Sequence, residues 1–174
     1  NAPKEGELFC IANISEGFGY KNNAVSPVYN EAKAEDGEYD LKWYHIVNAN
    51  YAQALKFTPV EGQKNQYTIS FIDEEGNTRY FSTHALAGYM DGGNVSTRHD
   101  RIRATKEAEK ALPFEISLAG EGVYKLKNTL HGSNIGSTSD DGFFTTNNLS
   151  DLSLVKAEKA NVPLSITAAG WCTL

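Results

Sequence analysis

Only two cysteines, one methionine and five prolines occur in 174 residues. Cys10 and Cys172 are too few for a disulfide scaffold, and their wide separation excludes a zinc ribbon or a CxxC redox pair. They are compatible with a staple joining the two ends, which would remove much entropy from the unfolded chain, or with two separate thiols. Basic residues are also in deficit: 16 Lys+Arg against 22 Asp+Glu leave a net charge of −6. A nucleic-acid binder needs a dense basic face to displace counterions from phosphate, so that class is disfavoured. No run approaches the roughly 20 apolar residues of a membrane span, and no basic amphipathic helix suggests membrane-surface binding.

Catalytic signatures are missing too. The four histidines, His45, His84, His99 and His131, form no HExxH or other close metal-ligand spacing. There is no Gly-x-Ser-x-Gly elbow, no Walker-type loop and no dinucleotide fingerprint after a strand. His99-Asp100-Arg101 reads as a solvated loop beside Arg98 and Arg103, and Asp140-Asp141 before Gly142 as turn residues. The expectation is a non-enzyme with no cofactor and no metal.

What is present is a soluble globular composition, 40% hydrophobic and 11% aromatic, of a length suited to one domain. Helix signals are scarce. The best covers residues 104–111, rich in helix formers and closed by Pro113; a weaker one covers 31–36. The remainder is short alternating runs broken by turn clusters such as Asp73-Glu74-Glu75-Gly76-Asn77 and Asp91-Gly92-Gly93-Asn94.

The runs repeat. Phe9-Cys10-Ile11-Ala12-Asn13, Tyr67-Thr68-Ile69-Ser70-Phe71 and Tyr124-Lys125-Leu126-Lys127-Asn128 share an aromatic, an aliphatic two residues on, and starts 58 and 57 residues apart. Leu55-Lys56-Phe57 and Leu112-Pro113-Phe114 precede the later copies at equal distance, and Leu152-Ser153-Leu154 stands equally before Leu164. Further strand candidates follow each copy at Ala24-Val25, Asn94-Val95-Ser96-Thr97 and Phe143-Phe144-Thr145-Thr146. Alternation points Phe9, Ile11, Tyr67, Ile69, Tyr124 and Leu126 inward and Cys10, Thr68 and Lys125 outward. Four short strands taken three times predict an all-β fold, a β-trefoil over residues 6–160 with one short helix inserted in repeat two. Residues 161–174, with Val162-Pro163-Leu164-Ser165-Ile166, then read as the first strand of a following domain. The opening Asn1-Ala2-Pro3 and the closing Gly170-Trp171-Cys172-Thr173-Leu174 lead us to expect a module of a longer polypeptide.

The stretch Tyr124-Lys125-Leu126-Lys127-Asn128, Asn134-Ile135-Gly136, Phe143-Phe144-Thr145-Thr146 and Asp151-Leu152-Ser153-Leu154 resembles the ricin-B-like β-trefoil accessory domains of secreted multidomain proteins from gut Bacteroidetes. The resemblance extends over residues 6–174 and is strongest from 112 onward. It implies a secreted or cell-surface, non-catalytic module beside other domains of the same polypeptide, with a glycan as partner. The chain departs from ricin lectins in lacking Gln-x-Trp, since its tryptophans are Trp43 and Trp171.

A sugar site needs an aromatic face for the apolar side of the ring and carboxylate or amide groups for its hydroxyls. Repeat two offers Tyr89, Asp91 and Asn94 with His84 nearby; repeat three offers Asn134, Asp140 and Phe143; repeat one offers Tyr20, Asn22 and Asn23. The same residues also read as hairpin turns and caps. Two rivals stand beside the glycan reading: a ligand-free spacer, and a protease inhibitor of the Kunitz soybean type, also a β-trefoil. The segment comparable to an inhibitor's exposed loop is 22–40, which holds Pro27 but no Arg or Lys beside a fixed cysteine.

Overall fold

The computed structural model describes residues 3–4, 6–13, 23–26, 37–45, 53–85, 100–130, 132, 134–137, 143–146 and 152–157. Among them are thirteen strands and a single 3-10 turn. The strands are β1 (Leu8–Asn13), β2 (Asn23–Ser26), β3 (Tyr39–Asp40), β4 (Lys42–His45), β5 (Leu55–Pro59), β6 (Gln66–Ile72), β7 (Thr78–Ala85) and β8 (Asp100–Thr105). β9 (Phe114–Gly120), β10 (Val123–Asn128), β11 (Asn134–Ser137), β12 (Phe143–Thr146) and β13 (Leu152–Ala157) follow. Every pairing is antiparallel, and all thirteen belong to one sheet.

Six of these strands close on themselves. β1 pairs with β5, β5 with β6, β6 with β9, β9 with β10, β10 with β13, and β13 returns to β1. The closing ladder is a long one, running from Leu8 opposite Ala157 to Asn13 opposite Leu152. A ring of this kind leaves none of its six strands as an open edge, which removes the usual template for aggregation. Three further pairs, β2 with β4, β7 with β8 and β11 with β12, attach to the ring through β1, β6 and β10 respectively.

The repeated aliphatic of the sequence becomes the inner layer of the ring. Ile11, Ile69 and Leu126, from β1, β6 and β10, are all fully buried, with Leu55, Phe57 and Phe114 from β5 and β9 beside them. Phe57 meets Phe9 edge-on at 5.9 Å between ring centroids and Tyr67 at 6.2 Å. Phe81 of β7 meets Phe71 at 6.3 Å and Phe114 at 6.4 Å, so the aromatic contacts run from the ring into the β7–β8 hairpin. Edge-to-face pairs at such spacing contribute beyond their buried area. Phe9 and Tyr124 are partly buried against this core, and Tyr67 is buried.

Three expectations change. Residues 104–111 do not form a helix: Ala104 and Thr105 complete β8, and only Ala108–Lys110 makes a 3-10 turn with no buried residue. Ala104 and Thr105 are buried and pair with Phe81 and Tyr80, and this burial outweighs the helical propensity of the segment. Asp100 and Arg101 likewise stand in β8 rather than in a solvated loop. Cys10 points into a packed environment, 1% exposed, although its alternation with Phe9 and Ile11 predicted an outward side chain. It pairs across the ladder with Val155 on one side and lies one step past the Phe9–Leu55 pair on the other, next to buried Ala54 and Gln53. The strand candidate at 94–97, the weaker helix candidate at 31–36 and the segment 161–174 lie outside the described residues.

Removing the Phe57 side chain should therefore open a cavity against two aromatic neighbours. Phe57→Ala is expected to lose about 3–5 kcal/mol in urea unfolding. Leu118→Ala, on a residue 65% exposed, should change stability by less than about 0.5 kcal/mol.

Candidate functional site

After β2 the described chain resumes at Gly37, and residues 37–41 are held by charge buried at the edge of the β7–β8 hairpin. The β6–β7 connection begins with Asp73. Its Oδ1 accepts the backbone N–H of Glu75 at 3.0 Å and of Asn77 at 2.8 Å, and Gly76 takes a φ of 82° that suits glycine. This fixes the second carboxylate oxygen, Oδ2, which accepts Arg79 Nε at 2.7 Å. Both side chains are only 8% exposed.

Arg79 then reaches across to the incoming segment. Its Nη1 donates to the Gly37 carbonyl, and its guanidinium carbon lies 5.0 Å from the centre of the Tyr39 ring. Beside it Arg103 Nη1 approaches Glu38 Oε2 at 3.6 Å, while Lys110 Nζ approaches Glu38 Oε1 at 3.7 Å and also meets Glu107. Backbone pairing completes the grip. Tyr39 and Asp40 ladder with Ala104 and Arg103, and Leu41 N–H donates to the Ile102 carbonyl at 2.9 Å. Leu41 itself is fully buried.

These surroundings set the ionisation. Burial works against the Asp73 carboxylate, but hydrogen bonds from Arg79, Asn77 and Glu75 and the Arg79 charge outweigh it, holding its pKa below the ordinary 3.8. Burial pushes the Tyr39 hydroxyl up to about 12 despite the nearby Arg79 charge. Burial alone pushes the Cys10 thiol up to about 11.

A second well-held connection joins β5 to β6. Val60 N–H donates to the Gln66 carbonyl at 2.9 Å, and the Asn65 carbonyl accepts Ile116 N–H at 2.8 Å. Gly62 and Asn65 both take positive φ, 75° and 60°, so the connection is a tight turn that displays Lys64 on its exposed rim.

The sugar-site candidates fare unevenly. Tyr89, Asp91, Asn94 and Asp140 lie outside the described residues, as do Tyr20, Asn22 and Cys172. His84 stands in β7 opposite Arg101, and Arg101 in turn faces Phe144 of β12, so the hairpins of repeats two and three meet across β8. Asn134 is half-buried in β11 and pairs with Thr146, whereas Phe143 pairs with Ser137. The two thus sit at opposite ends of a four-residue ladder, about 10 Å apart, rather than side by side. Among the described residues no group of three or more His, Cys, Asp or Glu is disposed to hold a metal ion. No helix among them is long and apolar enough to cross a membrane.

Two measurements follow. The folded Asp73 titrates below its unfolded value, so its contribution is fully present above the unfolded pKa and is lost as pH falls through the folded one. Urea midpoints taken from about pH 5 down to about pH 2 should fall steeply in the wild type and less in Asp73→Asn; Arg79→Met should cost about 3 kcal/mol at neutral pH. For Cys10, iodoacetamide at about pH 8 should label the native thiol at least a hundredfold more slowly than the unfolded one, read by peptide mass spectrometry.

No family model matches the sequence, and no curated protein matches it. A solved structure does. The double-headed arrowhead protease inhibitor A, in complex with two trypsins, superposes with a TM-score of 0.62 over 91% of this chain and 93% of that one, at 15% identity. At that identity the likeness speaks to fold, and it supports a β-trefoil for this all-β, antiparallel chain.

Proposed function

We propose that the chain is a non-catalytic binding module built as a β-trefoil, in which β1, β6 and β10 open three repeats and β5, β9 and β13 close them. The six-strand ring and its three attached hairpins support that division. The partner class we propose is a serine protease. The observation that carries it is the near end-to-end match to an inhibitor captured on two trypsins.

An inhibitor of this kind offers a protease a connection that is already ordered, so that little entropy is lost on docking. The clamp of Arg79, Glu38, Tyr39 and Leu41 orders residues 37–41, which follow residues 27–36 directly in the chain. The latter are the greater part of the segment singled out in the sequence. Residues 27–36 lie outside those described, and the sequence gives them one basic side chain, Lys33. Lys64 is a poorer substrate mimic. A protease cleft pairs with an extended strand, and the left-handed Asn65 at φ 60° turns the backbone away directly after it.

The glycan reading rests on Tyr89, Asp91, Asn94, His84, Asn134, Asp140 and Phe143, and the superposed inhibitor adds nothing in its favour. Placement in a secreted, multidomain bacterial protein stays a proposal that follows from the sequence resemblance.

Titrating the protein into trypsin and chymotrypsin tests the reading. Stoichiometric loss of trypsin activity is expected, abolished by Lys33→Ala and retained by Lys64→Ala. Uninhibited enzyme that digests the protein would contradict it, and binding on a glycan array without inhibition would favour the sugar reading instead.

A further inference from the structure

The outer face of β5, β6 and β7 carries a groove of about 380 Å³ that no part of the protease reading uses. Most of its lining alternates with the core positions Leu55, Phe57 and Ile69 of the same strands, while Leu8, Ala54 and Phe71 add apolar atoms to its wall. The ladder registers arrange its side chains in rows. Lys56, Ser70 and Tyr80 stand abreast across three strands, with Thr58 opposite Thr68 in the row on one side. Thr78 stands opposite Ile72 in the row on the other. Successive rows lie about 7 Å apart along the strands and neighbours within a row about 5 Å apart.

Five hydroxyls and one ammonium thus converge on a concave surface, and no hydrogen bond or ion pair within the described residues engages any of those six side chains. Among the described residues of the lining Lys56 is the only charged one, although the chain as a whole carries net charge −6. Ile72, 43% exposed, adds an apolar wall next to these hydroxyls.

We infer that this groove binds a single acidic sugar unit, a polyhydroxylated ring bearing one carboxylate. The carboxylate pairs with the Lys56 ammonium. The ring hydroxyls exchange hydrogen bonds with Thr58, Thr68, Ser70 and Thr78, whose hydroxyls both donate and accept. The C–H face of the ring lies against Tyr80 and Ile72. A volume of this size holds one or two such rings, and no described residue of the lining carries a carboxylate that would repel an acidic ligand. None of the sugar-site candidates named from the sequence belongs to this lining, and the inference does not depend on the protease reading.

Glucuronate is the probe, with glucose and acetate as the controls that lack its charge and its ring. In wild-type protein, millimolar glucuronate should shift the backbone amides of residues 56–58, 68–72 and 78–80 in 1H–15N spectra. Glucose should bind about tenfold more weakly, and Lys56→Ala should weaken glucuronate about tenfold, the value of one charge-assisted contact. Thr68→Val, nearly isosteric and on the outer face, should weaken it severalfold while leaving the melting temperature unchanged. No shifts with glucuronate, shifts confined to other parts of the chain, or acetate that matches glucuronate in affinity would each overturn the inference. The wild-type shift map decides the matter even if a variant folds poorly.

Discussion

The structure depends on the closure of β13 onto β1. Strands at opposite ends of the described chain form the ladder that turns six strands into a ring. Until it forms, β1 and β13 each present a row of unpaired backbone groups, and the cavity between them is open on one side. Once it forms, Ile11, Ile69 and Leu126 become one apolar layer drawn from three distant parts of the sequence. Stability of this type is non-local, and contacts between chain ends must be made against a large loop-closure entropy. Cys10, buried in β1, sits in the same ladder, paired with Val155.

Function, in this account, is written on what the ring carries outward. The β7–β8 hairpin takes the aromatic contact through Phe81 and gives back a firm edge, along which Arg79 and Arg103 hold residues 37–41. Breaking either charge pair from one side would strand the other partner in a poorly hydrated place, which is why such pairs fix geometry more surely than they add stability. The outer face of β5–β7 is a different surface. There the residues alternate with the core positions of the same strands, so rigidity of the core fixes the spacing of the hydroxyl rows.

Much of the ring was legible in the sequence, because the aromatic-x-aliphatic pattern at Phe9, Tyr67 and Tyr124 has the period of a strand and recurs at nearly constant spacing. The turn at Asp73-Glu74-Glu75-Gly76-Asn77 was legible too, since Asp and Gly have local reasons to stand there. Residues 104–111 misled because propensity is local, whereas the burial of Ala104 and Thr105 comes from β7 and β3. Cys10 misled because alternation assumes one buried face, and at this point the strand is covered on both. The clamp could not be read at all. Its partners, Gly37, Asp73, Arg79 and Arg103, are joined only by folding, and an arginine bound to a carbonyl more than forty residues away leaves no pattern in a sequence.

Ring closure itself is most directly tested by native-state hydrogen exchange. The account predicts that amides of β1 and β13 paired between Leu8–Asn13 and Leu152–Ala157 exchange only through global unfolding, with the same free energy as those of β6 and β9. Exchange of β1 and β13 orders of magnitude faster than that of β6 and β9 would show a sheet with open ends, and would contradict it.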